Sequence, residues 1–292
     1  MKGEEKLWRI LQDKLEMLRA GDRLHDALRV AETALDLALR VFPEGDPTRA
    51  LSYERLGQIH DQLGEIKEAK ACLAKALQII EAIEPMDQRA IYRIARRLAY
   101  LCDTAGRETD AIGFYEKAIK AASQLDNVLH SDLGTMLNNV ALIYRRSGGQ
   151  KAAEPYYLQA LDLYEKQLGL DHPDVAAVLN NLGVFYTSEG RFAEAEAMHQ
   201  RALAIRRKAS PNGGSDIAQS NCNLAVVYHS QGNLDRAGEL YRESLRGWDD
   251  VEKPPADYEI VASNYADLLR SLGKKRKAGA IESRARKRRA HL

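Results

Sequence analysis

Glycine returns along this chain at intervals of 42 residues, at Gly64, Gly106, Gly148, Gly190 and Gly232, and again at Gly273 after a one-residue deletion. Gly21-Asp22 holds the place ahead of them. Five residues after each turn comes an alanine: Ala27, Ala69, Ala111, Ala153, Ala195, Ala237 and Ala278. Seven residues further on stand Ala34, Ala76, Ala118, Ala160, Ala202, Ser244 and Ala285. Columns that stay in phase over a whole chain belong to a stacked repeat. Glycine supplies the left-handed backbone that ends a helix. The alanines let helix axes approach to about 8–10 Å. Each period therefore predicts one helix–turn–helix pair, and the chain an all-α solenoid of about seven such pairs. Composition agrees. Apolar residues make up 45%, enough for a core, and no long run of β-branched residues alternates with polar ones. Most of the 8 prolines stand where helices begin or loops run, and Pro155 is expected in a first turn.

Bulkier positions fill the space between these columns. Leu98, Val140, Leu182 and Leu224 form one set, and Tyr144, Tyr186 and Tyr228 another; both are expected in the core. Helix starts are legible at Asp46-Pro47 and at Asp171-His172-Pro173-Asp174, each offering a cap followed by proline at the first helical position. Pro211 to Asp216 reads as a loop ending in a cap. The pairs are expected over residues 5–44, 47–86, 88–128, 131–170, 173–212, 215–254 and 257–292, as one domain that closes with a basic capping helix.

Charge narrows the function. The 43 basic and 42 acidic side chains leave a net charge of +1, which argues against a role such as coating DNA. No signal-peptide pattern follows Met1, and no window approaches the roughly 18 apolar residues of a membrane span. Cys72, Cys102 and Cys222 are odd in number, far apart and outside any metal spacing, so reduced thiols in the cytosol are expected. No cofactor is called for. No phosphate loop, dinucleotide fingerprint, zinc helix or serine elbow is present, and none of the histidines pairs with another at ligand spacing, so an enzyme is not expected. Cys222 is the one thiol expected to be exposed near Asn223.

The Leu-Gly-x-x-Tyr, Gly, Ala, Ala pattern resembles tetratricopeptide repeats, which usually recur at about 34 residues. The longer period resembles the repeat type of the kinesin light chain family. That likeness is closest at Ala153-Glu154-Pro155-Tyr156-Tyr157, Gln159-Ala160-Leu161, Leu168-Gly169-Leu170-Asp171-His172-Pro173-Asp174-Val175-Ala176 and Leu179-Asn180-Asn181-Leu182. It is a likeness of repeat type, not of membership in the motor complex. The resemblance implies a right-handed superhelix whose first helices line an inner, concave face, suited to a peptide or helix of a partner protein.

Residues nine, six and two places before each turn share one face of a first helix. They are Arg55, Gln58 and Gln62; Arg97, Tyr100 and Thr104; Asn139, Leu142 and Arg146; Asn181, Val184 and Ser188; Asn223, Val226 and Ser230; Asn264, Asp267 and Ser271. Four asparagines in one column want a reason, since asparagine is a mediocre helix former. An amide donates and accepts, and so can pair with an extended peptide backbone without reading its sequence. The resemblance implies this role for Asn139, Asn181, Asn223 and Asn264, with Asn138 and Asn180 assisting. The alternative is hydrogen bonding between neighbouring helices. His229 is a further candidate for ligand contact.

Arg93, Arg96 and Arg97 share a helix, and Arg145 and Arg146 end the next first helix. They predict an electropositive stretch and a ligand carrying carboxylates, unless local acids such as Asp103 neutralise them. Nine basic residues crowd Lys274–Lys277 and Arg284–Arg289. A capping face is the favoured reading, with Arg286 standing where Leu161, Leu203 and Leu245 stand earlier; nucleic-acid contact is the remoter one. The expected function is a scaffold or adaptor. A regulatory module that holds a helix of its own assembly, or responds to a small signal, is the alternative, and self-association stays open.

Overall fold

The computed structural model describes residues 2–125, 130–210, 214–249 and 257–290. Among them are fourteen helices and no strand. They divide into two compact units, Met1–Ser147 and Gly148–Leu292. Unit 1 holds α1 (Lys2–Ala20), α2 (Leu24–Val41), α3 (Pro47–Gln62), α4 (Ile66–Glu81), α5 (Gln88–Thr104), α6 (Glu108–Ala122) and α7 (His130–Arg146). Unit 2 holds α8 (Gln150–Leu168), α9 (Pro173–Ser188), α10 (Phe192–Ala209), α11 (Ser215–Ser230), α12 (Leu234–Gly247), α13 (Asp257–Ser271) and α14 (Lys275–Ala290). Within each unit a helix packs on its predecessor and its successor, as in a solenoid of helix pairs.

The 42-residue columns have the roles their chemistry demands. Each turn glycine from Gly64 to Gly273 has positive φ, between 69° and 82°, and Asp22 takes φ 54° in the first pair. The first alanine column is completely buried, at 0% exposure in all seven repeats, and the second lies between 0% and 5%. Leu98, Val140, Leu182 and Leu224 are buried as well.

Three expectations need correction. Pro155 lies inside α8, past the first turn; its ring is on an exposed surface, where water can take up the carbonyl it frees. Of the tyrosine column only Tyr186 is buried. Tyr144 and Tyr228 are half-exposed, and each hydroxyl donates to a carboxylate of the preceding helix pair, Glu116 and Glu196 respectively. Cys222 is not exposed but buried, and that burial pushes its thiol up to about 12; Cys72 is the more open of the three free thiols.

Two caps follow the sequence with a difference. Asp46 accepts from the Thr48 N–H at 2.7 Å, ahead of Pro47. At α9 the cap is His172, whose Nδ1 accepts from the Asp174 N–H at 3.2 Å, and not Asp171. Pro211, Asn212 and Gly213 lie outside the described residues, and α11 starts from Gly214 without a side-chain cap.

One close approach depends on a glycine inside a helix. A Cβ on Gly183 of α9 would stand 2.6 Å from Cε1 and 2.7 Å from Nε2 of His199, whose ring is 1% exposed. Alanine in a helix is ordinarily favoured over glycine by about 0.8–1.0 kcal/mol. Overpacking a core costs about 1–3 kcal/mol, so the clash wins. Gly183→Ala is expected to lower unfolding free energy by about 1–2 kcal/mol in denaturant titration. In a His199→Ala background the same change is expected to be neutral or stabilising.

Candidate functional site

Side chains from neighbouring first helices meet along each unit, and they do so with different chemistry in the two. In unit 1 the links are ionic. Arg55 of α3 pairs with Glu16 of α1 at 2.5 Å. Arg93 of α5 donates from Nη2 to Glu54 of α3 at 2.7 Å, and Arg97 pairs with Asp61. Arg146 of α7 donates to Asp103 of α5 at 2.5 Å, and Arg96 reaches Asp132 of α7 at 3.1 Å. The acids are the sheltered partners: the Glu54 side chain is 4% exposed and that of Asp61 9%, against 46% and 43% for their arginines. Each sheltered carboxylate is thus partnered by a cation, as burial of a charge requires. The hydrogen bonds that Arg93 donates to Glu54 in turn hold its guanidinium above its ordinary range, as the one to Asp103 does for Arg146.

This corrects the electropositive reading of Arg93, Arg97 and Arg146. Each of these three positive charges is matched by an acid one repeat earlier, the local neutralisation that stood as the alternative. A hollow in this face lies beside Tyr100, which is 48% exposed and has the Arg97 guanidinium 4.9 Å from its ring centre. That hollow, about 210 Å³, is lined also by Tyr115, Met136 and Asn139. Asn139 donates to the Tyr115 hydroxyl at 3.2 Å.

In unit 2 the links are amides. Asn223 of α11 donates from Nδ2 to Oδ1 of Asn180 on α9 at 2.7 Å. Gln219, one turn earlier on α11, donates to Oδ1 of Asn223 at 3.2 Å. Asn138 and Asn181 are engaged in contacts of their own. Asn264 of α13 is half-buried and has no hydrogen-bond partner among the described residues. The expected bonding between neighbouring helices is thus present at Asn180 and Asn223. It does not use the amides up: a primary amide has two N–H groups and two lone pairs on oxygen. Val184 and Val226, on the same faces, are half-buried and give the ladder an apolar margin.

His229, the further candidate for ligand contact, is half-buried. Its ring stands edge-on to Tyr241 of α12, with centroids 6.2 Å apart, so it packs within its own helix pair. Among the described residues no group of three or more His, Cys, Asp or Glu side chains could hold a metal, and no helix is long and apolar enough to cross a membrane.

The basic C-terminal helix is put to structural use. Arg284 and Arg288 of α14 reach Asp249 at 2.7 and 3.3 Å. Arg288 also donates to the Trp248 carbonyl at 3.0 Å and lies 5.3 Å from the Tyr258 ring centre. Arg286 is exposed where Leu203 and Leu245 are buried, which leaves the end of the stack polar. The Arg289 side chain lies outside the described residues.

Charge pairs at about one period were readable in advance. Arg93 and Glu54 are 39 residues apart, and Arg146 and Asp103 43. Searching each first-helix charge for its opposite one period back, give or take a turn, would have found them.

A family model described as tetratricopeptide repeat matches residues 16–82, 132–208 and 216–290. Among solved structures, BtubC (BKLC) from P. vanneervenii is 29% identical, with a TM-score of 0.58, over 77% of this chain and 90% of that one. A putative kinesin light chain from Podosopora anserina, with nearly identical TPR-like repeats, is 18% identical, with a TM-score of 0.56, over 72% and 99% of the two chains. YrrB, described as a TPR protein with an unusual peptide-binding site, is 19% identical, with a TM-score of 0.51, over 71% and 89%. No curated protein matches the chain.

Proposed function

This chain belongs to the tetratricopeptide-repeat family, and on that premise we propose that it is an adaptor which grips an extended segment of a partner protein along the first helices of unit 2. The amide ladder supports the reading most. Asn180, Asn223 and Gln219 already hold one another in place, so their remaining donors and acceptors are presented without the entropy of ordering free side chains. An extended backbone offers N–H and C=O groups at matching polarity. Asn181 and Asn264 extend the same column.

Selection by acidic residues is not part of this reading, because Arg93, Arg97 and Arg146 each pair with an acid of the preceding repeat. Backbone contact, with small apolar side chains set against Val184 and Val226, does the recognising. The three free cysteines suit a reducing compartment, so the adaptor works in the cytosol.

The test begins with peptides selected from a random displayed library on the full chain. Asn181→Ala and Asn223→Ala are each expected to weaken a selected peptide by about 0.5–1.5 kcal/mol, roughly 2- to 12-fold in Kd. Calorimetric titration reads the affinity, and thermal melting reads the stability of the same variants. Unchanged affinity with a lowered melting point would leave the asparagines a purely structural role and end the peptide-contact reading.

A further inference from the structure

Two repeat junctions in unit 2, α8–α9 and α10–α11, carry a second polar group, on the side of the second helices; at the third, Leu269 and Gly238 take the same positions. The Tyr186 hydroxyl of α9 donates to Oε1 of Glu154 on α8 at 2.9 Å. Arg191 donates to both oxygens of Glu154 at 2.9 Å, and its guanidinium lies 4.1 Å from the Tyr186 ring centre. Glu194 holds the other side of Arg191, at 2.7 Å. One period later the Tyr228 hydroxyl donates to Glu196 at 2.7 Å. A ring and a carboxylate fill both junctions, and at the first a stacked arginine joins them.

Two periods before Tyr186 the same positions read differently. Cys102 stands for Tyr186, Lys70 for Glu154 and Ala74 for Leu158. Arg107 is kept for Arg191, and Asp110 for Glu194, still paired with it at 2.5 Å. The ring is gone, and the charge that met it is reversed. What remains is an open cavity of about 600 Å³, within the range of small-molecule sites, floored by Leu98, Cys102 and Phe114. Lys67, Lys70 and Arg107 stand around it, and Asp110 is the one acid of the lining. Neither lysine has an ion-pair partner among the described residues.

We propose that this cavity between α4, α5 and α6 binds a small aromatic carboxylate, whose ring replaces the one deleted at Cys102 and whose carboxylate meets Lys70. The apolar floor takes the ring, and Arg107 is placed to stack on it as Arg191 stacks on Tyr186. The carboxylate answers two unpaired ammonium groups, with Arg107 close by. A bound ligand would restore the ring and the anion that the later repeats supply from their own chain. Occupancy would therefore stiffen the junction of repeats two and three. The inference stands apart from the peptide reading, since it uses the second-helix side of unit 1 alone.

The probe is 3-(4-hydroxyphenyl)propionate, titrated into the full chain and followed by amide chemical shifts and by thermal melting. One saturable site is expected below about 10 mM, with shifts centred on α4–α6 and a raised melting temperature. Lys70→Glu is expected to weaken binding about tenfold or more without lowering the melting temperature of the free chain. The neutral amide of the same acid is expected to bind about tenfold more weakly than the acid. Cys102→Tyr with Lys70→Glu rebuilds the missing pair, and should abolish binding while raising the melting temperature. No saturation by about 10 mM, or equal binding by Lys70→Glu or by the amide, would overturn the proposal.

Discussion

Trp248→Ala is expected to lower the unfolding free energy by about 3–5 kcal/mol. Trp248 follows α12 and is 0% exposed. Its ring packs in the apolar cluster of unit 2, 6.4 Å from the Tyr258 ring. The indole N–H donates to the Ser215 hydroxyl at 3.0 Å, and the carbonyl receives Arg288 at 3.0 Å. The side chain thus ties the start of α11 to the end of α12, and the backbone carbonyl beside it receives α14. Truncation leaves a cavity and an unpaired Ser215. Denaturant unfolding followed by far-ultraviolet circular dichroism measures the loss. A cost below about 1 kcal/mol would mean that the last repeat is not held through this residue.

The second large effect depends on pH. Burial pushes the His199 imidazole down to about 4, and the Arg206 charge adds to it; a hydrogen bond to the Gly183 backbone works the other way. Its Nδ1 has no hydrogen-bond partner among the described residues. The folded-state value lies below the ordinary 6.5, so between the two the unfolded chain binds a proton that the folded chain refuses. The contribution of His199 is therefore complete above about pH 6.5 and is lost as pH falls toward 4. The full loss is about 3 kcal/mol, of which about 2 kcal/mol is reached by pH 5. Unfolding free energies at pH 7.5 and pH 5 are expected to differ by that amount more in the natural protein than in His199→Gln. Equal pH dependence in the two would show that the imidazole is not held neutral.

How much of this was legible depended on whether a residue acts within its own column. The turn glycines and the two alanine columns answer to constraints that repeat in every pair, so their period alone reveals them. The tyrosine column was legible as a repeat but not in its role. Its rings sit where their hydroxyls reach Glu116, Glu154 and Glu196, and those carboxylates belong to the previous pair. The arginines misled for the same reason. Arg93 and Arg97 look like an unbalanced cluster on their own helix, while Glu54 and Asp61 stand one repeat earlier. The asparagines were identified as the unusual column, yet the bond between Asn180 and Asn223 joins two adjacent columns, offset by one residue beyond the period. His199 was passed over because a lone histidine in a helix looks like surface. The signal available was its column, in which Leu73, Tyr115, Tyr157 and Tyr241 are all large and buried.

The central claim is that the first helices of unit 2 hold an extended partner segment by its backbone. Hydrogen exchange of the full chain, with and without a selected peptide at saturation, tests it most directly. The account predicts new protection concentrated on α9, α11 and α13 and little change on α10, α12 and α14. Protection confined to the second helices, with α9 and α11 exchanging as in the free chain, would contradict it.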